Sequence, residues 1–303
     1  MKLMPRYPVY IPSKGRAKDL KTAAMFDSAG VPYRVVVEPS QVTAYADWEN
    51  RGMLLVLPED SKGLVYARNW IKDHSISEGH ERHWQFDDDV WWISRIYKGY
   101  RLQMDAGIAL AASEDFVERY ENVALASLNS ESFLPCNGTS QYKFTPFTVN
   151  TRCYTIFLML NSLPNRWRFR YNEDTDMTLQ VLADGWCTIL FNAFMIKTEG
   201  TANNSTGKPE GGGQAEVYAG DGRLKMARDL ERVWPGVVRT VRRFSRPQHQ
   251  VIGHWTKFDT PLKLKEGIDL EGMEANEYGM KLTAVTEPQA REMKRLLEES
   301  RDA

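Results

Sequence analysis

From Tyr7 to Phe86 the chain alternates short apolar runs with segments of helical spacing, and that alternation restricts the fold more than any other feature. Tyr7 to Ile11 reads as a first strand. It runs into Pro12-Ser13-Lys14-Gly15-Arg16, a loop of turn formers and cations. A helix is expected from about Ala17 to Ala29, stopped by Gly30, a residue suited to a left-handed cap. Tyr33 to Glu38 and Met53 to Leu57 supply a second and a third strand, a helix follows from Leu64 to His74, and His83 to Phe86 begins the fourth strand. This rhythm argues for a parallel sheet with helices on both faces, since parallel neighbours need a crossover. The expected fold class is α/β, a Rossmann-type doubly wound central sheet. In such sheets ligands bind beyond the carboxyl ends of the strands.

At the end of the fourth strand stands Asp87-Asp88-Asp89, between Phe86 and the run Val90-Trp91-Trp92-Ile93. Three carboxylates beside so much apolar surface repel one another and are costly to desolvate. A divalent cation with a taste for hard oxygen ligands, Mg²⁺ or Mn²⁺, relieves both problems. In an extended segment Asp87 and Asp89 share one side and Asp88 points to the other. A cation held by one or two carboxylates keeps positions open for substrate phosphates, which is the chemistry of a nucleotide-diphosphate-sugar site.

The stretch from 105 to 200 mixes helix and strand: a helix over Ala106 to Tyr120, a strand over Val123 to Leu128, and further strand over Thr148 to Leu160. Arg166 to Tyr171 alternates cations with aromatics, as a strand or extended arm with a basic side does. A second acidic set follows at once, Glu173, Asp174 and Asp176, leading into helical spacing. Acids at a helix start are ordinary because the helix dipole favours them there. The same acids can also serve an acceptor hydroxyl as general base, with Asp174 the first choice and Glu173 the second. Residues 200 to 222 are polar and contain Gly211-Gly212-Gly213. A helix from Arg223 to Val233 ends at Trp234-Pro235-Gly236, and a basic run follows with Arg239, Arg242, Arg243 and Arg246. A last helix opens at Thr286, with Gln289 in capping-box spacing.

Lys14, Arg16, Arg68 and Lys197 lie near expected strand or helix ends, where fixed cations would steady a departing diphosphate. Arg68-Asn69 is a polar pair among Val65, Ala67 and Trp70. His249 can complete a metal site through an imidazole nitrogen. The arginines from 239 to 246 can follow a phosphate backbone, clamp a diphosphate or simply be solvated. Trp91, Trp92, Trp167 and Trp186 are candidates for stacking or for core packing.

Composition narrows the alternatives. With 303 residues and 42% hydrophobic content the chain can build a real core, and its net charge of −1 announces no nucleic-acid or membrane partner by bulk charge alone. There is no apolar run of about 18 residues, so no membrane span is expected. The N-terminus has no apolar h-region, so a cytosolic location is expected. Cys136, Cys153 and Cys187 are widely spaced and form neither a zinc pattern nor a disulfide framework.

Taken in order, Ile11-Pro12-Ser13-Lys14-Gly15-Arg16, Glu38, Ala67-Arg68-Asn69, Phe86-Asp87-Asp88-Asp89-Val90 and Tyr171-Asn172-Glu173-Asp174-Thr175-Asp176 resemble a nucleotide-sugar glycosyltransferase of the GT-A fold. More narrowly the chain resembles the TET/JBP-associated glycosyltransferases of bacteriophages, and Arg246-Pro247-Gln248-His249 with Leu262-Lys263-Leu264-Lys265 fits that group. The resemblance implies a nucleotide-sugar-binding βαβ half (1–92), an acceptor-binding and catalytic section of mixed α/β structure (93–265) and a C-terminal extension with a helix (266–303). It implies Mn²⁺ or Mg²⁺ on the acids Asp87 and Asp89, to which the reading of the residues adds His249 as a third candidate ligand. It implies a UDP-sugar donor held by Pro12, Ser13, Lys14, Arg16, Glu38, Arg68, Asn69, Asp88 and Lys197, and catalysis by Asp174, Glu173 and Asp176. The implied acceptor is the hydroxyl of a 5-hydroxymethylpyrimidine in DNA, such as 5-hydroxymethylcytosine. Two alternatives stay open: a protein, glycan or small-molecule acceptor, and a non-catalytic nucleic-acid-binding module. The near-neutral charge departs from what a duplex binder shows, unless the arginines at 166–170 and 239–246 are its footprint.

Overall fold

The computed structural model describes residues 3–97, 100–134, 145–198, 222–243, 245–253, 255–268 and 288. The glycine-rich stretch, Cys136, His254 and the helix expected from Thr286 fall outside the described residues.

The first half follows the expected order. Strand β1 (Val9–Pro12) leads to α1 (Lys21–Ala29), β2 (Arg34–Val37), a 3₁₀ segment over Pro39–Tyr45 running into the short α2 (Ala46–Asn50), then β3 (Leu54–Val56), α3 (Leu64–Ser77) and β4 (Arg82–Phe86). Helix α1 starts later than its spacing suggests because Arg16 to Asp19 closes a turn, Asp19 N–H donating to the Arg16 carbonyl at 2.9 Å. Gly30 ends it at φ 64°, donating its N–H to Asp27 O at 3.1 Å.

A hairpin follows, β5 (Val90–Tyr97) and β6 (Tyr100–Met104), then α4 (Ala106–Val117), β7 (Val123–Ser130), β8 (Phe147–Val149), β9 (Ile156–Leu160), α5 (Glu173–Ala183) and β10 (Cys187–Thr198). Asp105 caps α4 by accepting from Ile108 N–H at 3.2 Å. The chain then forms α6 (Gly222–Val233) and a second hairpin, β11 (Val238–Arg243) with β12 (Arg246–Val251).

Ten strands join one sheet in the order β3-β2-β1-β4-β9-β7-β10-β5-β6, with β8 beside β10. The pairs β1–β2, β1–β4, β2–β3 and β7–β10 are parallel. Strand β9 is antiparallel to both its neighbours, β4 and β7, so the doubly wound sheet is mixed. The single strand expected over Thr148–Leu160 is two strands that pair elsewhere, because Asn150 and Thr155 take left-handed φ values of 55° and 65° and turn the chain between them. Arg166 to Tyr171 is the extended arm rather than a strand. Its burial alternates, Trp167 inward and Arg166, Arg168 and Arg170 outward, with no ladder partner.

Period-2 alternation places the strands between two apolar layers. Val9, Ile11, Val35, Val37, Trp84 and Phe86 face α1 and α4, whereas Tyr10 and Val36 face Ala67 and Ile71 of α3. Farther along, Phe157 and Met159 pack on Met177 and Val181 of α5. After the β11–β12 hairpin the chain returns to α4 and β7. Lys263 N–H donates to Asn122 Oδ1 and Lys265 N–H to the Arg119 carbonyl, each at 2.8 Å. Among the described residues no helix is long and apolar enough to cross a membrane.

Candidate functional site

On the α3 side of β4, successive inward positions carry His83, Gln85 and, just past the strand, Asp87, where an ordinary strand would be apolar. They form one hydrogen-bonded line. Asn161 donates Nδ2 to Ser75 Oγ (2.9 Å) and the His80 carbonyl (2.7 Å), which leaves its Oδ1 to accept from His83 Nδ1 (2.5 Å). His83 Nε2 then accepts from Gln85 Nε2 (2.8 Å). Burial pushes the His83 pKa down to about 3, so the ring is neutral, as these partners require. Arg68 donates to Gln85 Oε1 at 3.3 Å and to Asp87 Oδ1 at 2.8 Å. Its guanidinium lies over the rings of Trp167 and Phe157, 4.8 and 4.9 Å from their centroids. Arg68 is thus buried as the counter-ion of Asp87.

The triplet itself is a turn held by α1. Thr22 Oγ1 donates to the Asp87 carbonyl (2.6 Å) and accepts from Val90 N–H (3.0 Å). Asp87 and Asp88 diverge, as alternation predicts. Asp88 accepts from Ser13 Oγ at 2.6 Å and pairs with Arg16 at 3.5 Å. Tyr45 OH donates to Ser13 Oγ (2.8 Å) and accepts from Arg16 N–H (3.0 Å), which ties the loop after β1 to the triplet. Beside it Lys14 pairs with the buried Glu38 at 2.6 Å, and Ser61 N–H donates to the other Glu38 oxygen at 2.9 Å. Pro12 closes β1 beneath these groups.

Helix α5 brings the second acidic set. Asn172, at φ 59°, turns the arm into the helix so that Glu173 and Asp174 open its first turn. Glu173 lies close enough to Asp87 that its charge helps raise the Asp87 pKa. Burial is the larger cause, the Asp89 charge adds to it, and Arg68 opposes; the net result is about 7. The Asp87 side chain keeps 35% of its surface open at the mouth of the site, within dense surroundings. Burial first and the Asp174 charge second push the Glu173 pKa up. Asp174 Oδ1 accepts from Thr175 N–H at 2.6 Å, and Arg152 stands 3.8 Å from its other oxygen. His249 arrives from β12, its Nε2 3.3 Å from Thr175 Oγ1. Burial and the Arg152 charge hold its pKa below the usual histidine value.

The site therefore gathers Asp87, Asp88, Asp89, Arg16, Arg68, Ser13 and Glu173, with Asp174 and His249 meeting at Thr175 beside it rather than at the triplet, and two further candidates, Asp176 and Asn69, have other work. Asp176 is fully buried and accepts four hydrogen bonds: Arg168 Nε (3.0 Å) and a second Arg168 nitrogen (2.7 Å), Trp234 Nε1 (2.8 Å) and Gln180 Nε2 (2.8 Å). With its lone pairs occupied it joins α5, the arm and the end of α6, and has none to offer an acceptor. Asp176→Ala is expected to lower the stability to urea by about 2–3 kcal/mol, because it removes four hydrogen bonds accepted by a fully buried carboxylate, although the half-exposed Arg168 can turn to water; a loss below about 1 kcal/mol would refute this anchoring role. Asn69 donates to the Trp167 carbonyl and accepts from Trp167 N–H, both at 2.9 Å, so it clamps the arm rather than facing the site. Lys197 stands opposite Trp92 on the β10–β5 ladder, at the rim. Tyr45, Thr22 and Arg152 are site residues that the sequence did not single out. Of the tryptophans, Trp167 is core under Arg68, Trp92 donates to Glu131 (3.0 Å), and Trp91 is exposed with Lys21 over its ring.

Among the described residues no three acidic, histidine or cysteine side chains form a ready-made ligand cage. Asp87 and Asp89 nevertheless make a donor set that fits a hard divalent cation of the kind held by one or two carboxylates, with phosphate oxygens completing its shell. The surplus of carboxylates over Arg68 at this point is charge that such a cation would balance.

A family model described as TET-Associated Glycosyltransferase matches residues 7–207, ending before α6 and the β11–β12 hairpin. No curated protein matches the chain. Among solved structures, the inositol-1-phosphate CTP transferase from T. maritima is similar at 14% identity, over 65% of this chain and 91% of that one, with a TM-score of 0.33.

Proposed function

The chain belongs to the TET-associated glycosyltransferase family, and from that premise we propose that it transfers a sugar from a UDP-sugar to the hydroxyl of a 5-hydroxymethylpyrimidine in DNA, 5-hydroxymethylcytosine first. The observation that carries the reading is the meeting of the Asp87–Asp89 turn with Glu173 at the carboxyl edge of the sheet, where the Glu173 charge acts on Asp87. Asp87 and Asp89 would hold Mn²⁺ or Mg²⁺, which supplies charge stabilisation for a diphosphate leaving group. Arg68 fixes the orientation of Asp87, and Asp88, held by Ser13 and Arg16, sets the loop after β1 around the donor. Glu173 serves as general base for the acceptor hydroxyl. Its raised pKa places it nearer neutrality than an ordinary carboxyl, which suits a group that must take a proton and later release it. Asp174, paired with Arg152 and bonded to Thr175, positions the acceptor side.

The reading is tested by UDP release from a panel of UDP-sugars, with Mn²⁺ or with EDTA, in the presence of hydroxymethylcytosine DNA or unmodified DNA. Release is expected only with the divalent ion, and stimulated by the hydroxymethyl group. Release indifferent to DNA would move the acceptor to a protein, glycan or small molecule. No release with any donor would leave a binding module.

A further inference from the structure

The β11–β12 hairpin has two unlike faces. Residues directly opposite on antiparallel strands share a face, and the faces alternate along the strand. One face carries the pairs Val238–Val251, Thr240–His249 and, toward the tip where it leaves the body of the protein, Arg242–Pro247 with Arg242 exposed. It points inward, since Val238 and Val251 pack on Leu179 and Leu230 while His249 reaches Thr175 beside the candidate site. The other face carries Arg239–Gln250, Val241–Gln248 and Arg243–Arg246, with all three arginines exposed.

Charge distinguishes this face from most other basic elements near the site. Lys14, Arg16, Arg68 and Arg152 pair with Glu38, Asp88, Asp87 and Asp174. On the arm, Arg166 pairs with Asp73 and Arg168 with Asp176, which spends most of the basic side of that segment. Val238–Val251 holds four arginines and no acid in a chain of net charge −1. Among the described residues none of the four has a carboxylate partner. Among the described residues the outward face offers no aromatic anchor of the kind that dominates protein–protein interfaces, only Val241 among cations and amides. Arg239 and Arg243 stand roughly 13 Å apart along β11, at about 3.3 Å per residue. That length spans several phosphates of one DNA strand, at about 3.4 Å of axis each.

We propose that the outward face of the β11–β12 hairpin is the docking surface for the sugar–phosphate backbone of the acceptor DNA. Arg239, Arg243 and Arg246 contact phosphates, and Gln248 and Gln250 donate to phosphate or sugar oxygens. The inference rests on the reading of DNA as acceptor and assigns where that DNA lies. A strand gripped there lies across the hairpin from His249, whose inward side chain meets Thr175 at the edge of the candidate site.

The test is the salt dependence of binding of a labelled hydroxymethylcytosine duplex to the whole chain, by anisotropy between about 50 and about 200 mM salt. Replacing Arg239, Arg243 and Arg246 together by Ala is expected to lower the slope of log affinity against log salt by roughly 2–3, at about 0.9 per phosphate contact, and to weaken binding about tenfold or more at 100 mM salt. The matching triple Lys variant should keep most of the slope, and DNA-independent UDP-sugar hydrolysis should be unchanged in both. An Ala variant with wild-type affinity and slope overturns the hairpin assignment and leaves the DNA acceptor standing. A wild-type protein that glycosylates another acceptor and binds no DNA at low salt overturns both. Binding of poly-glutamate in preference to DNA overturns the choice of partner.

Discussion

Asp89→Asn is expected to lower kcat/KM for sugar transfer by about 10³-fold, roughly 4 kcal/mol at 1.36 kcal/mol per decade, with the fold intact. Two physical effects separate this outcome from damage to the structure. On the proposed reading the carboxylate would be half of the donor set for a divalent ion, so its loss would remove charge stabilisation from the departing diphosphate. Yet the same carboxylate is a like charge beside Asp87, where it helps to drive the Asp87 pKa upward. Removing it relieves that repulsion while Asn keeps the size of the side chain, so the protein without substrate should stay folded and melt close to wild type. Steady-state transfer kinetics at saturating Mn²⁺, with a thermal melt of the same sample, make the comparison. Activity within tenfold of wild type would end the assignment of Asp89 to the donor site.

Glu173→Gln should lower kcat by about 10²–10⁴-fold, the range of general base catalysis, while leaving the donor KM nearly unchanged. Gln keeps the size and hydrogen-bonding reach of Glu173 and cannot take the proton. Asp174→Asn should cost less, about tenfold, because Asp174 is already engaged by Arg152 and Thr175 and acts through position. A Gln variant with more than a tenth of wild-type kcat would exclude the base role. A reversed ranking, Asp174→Asn far worse than Glu173→Gln, would transfer that role to Asp174.

The elements of the first half could be read from the chain because their signals are local. Val9 and Ile11 alternate with Tyr10, and Gly30 stops α1 at the residue that needs a left-handed backbone. The place of β9 could not be read. Its apolar run suits a strand in either direction, and the turn before it depends on Asn150 and Thr155 adopting positive φ without a glycine to signal it. At the site, the Asp triplet and the acids of α5 stood out by charge in an apolar setting. Which acid does what is a tertiary matter. Asp176 is three residues from Glu173 and indistinguishable by type, but it meets Trp234 from beyond α6. Sequence likewise shows Lys14, Arg16 and Arg68 as free cations, and only the topology mates each with a carboxylate. Tyr45 and Thr22 carry no local mark at all, since a buried tyrosine and a helix-start threonine are common.

The line from Asn161 through His83, Gln85 and Arg68 to Asp87 also bears on how this protein can change by descent. Every interior member of that line has a partner on each side, so replacing any one strands a buried polar group of its neighbour. Replacing several together with apolar residues of matching volume removes the debt along with the groups. These positions should therefore behave as one inherited unit. Single substitutions at His83 or Gln85 would be selected against, and joint ones tolerated up to Arg68, where the chemistry of Asp87 sets the limit.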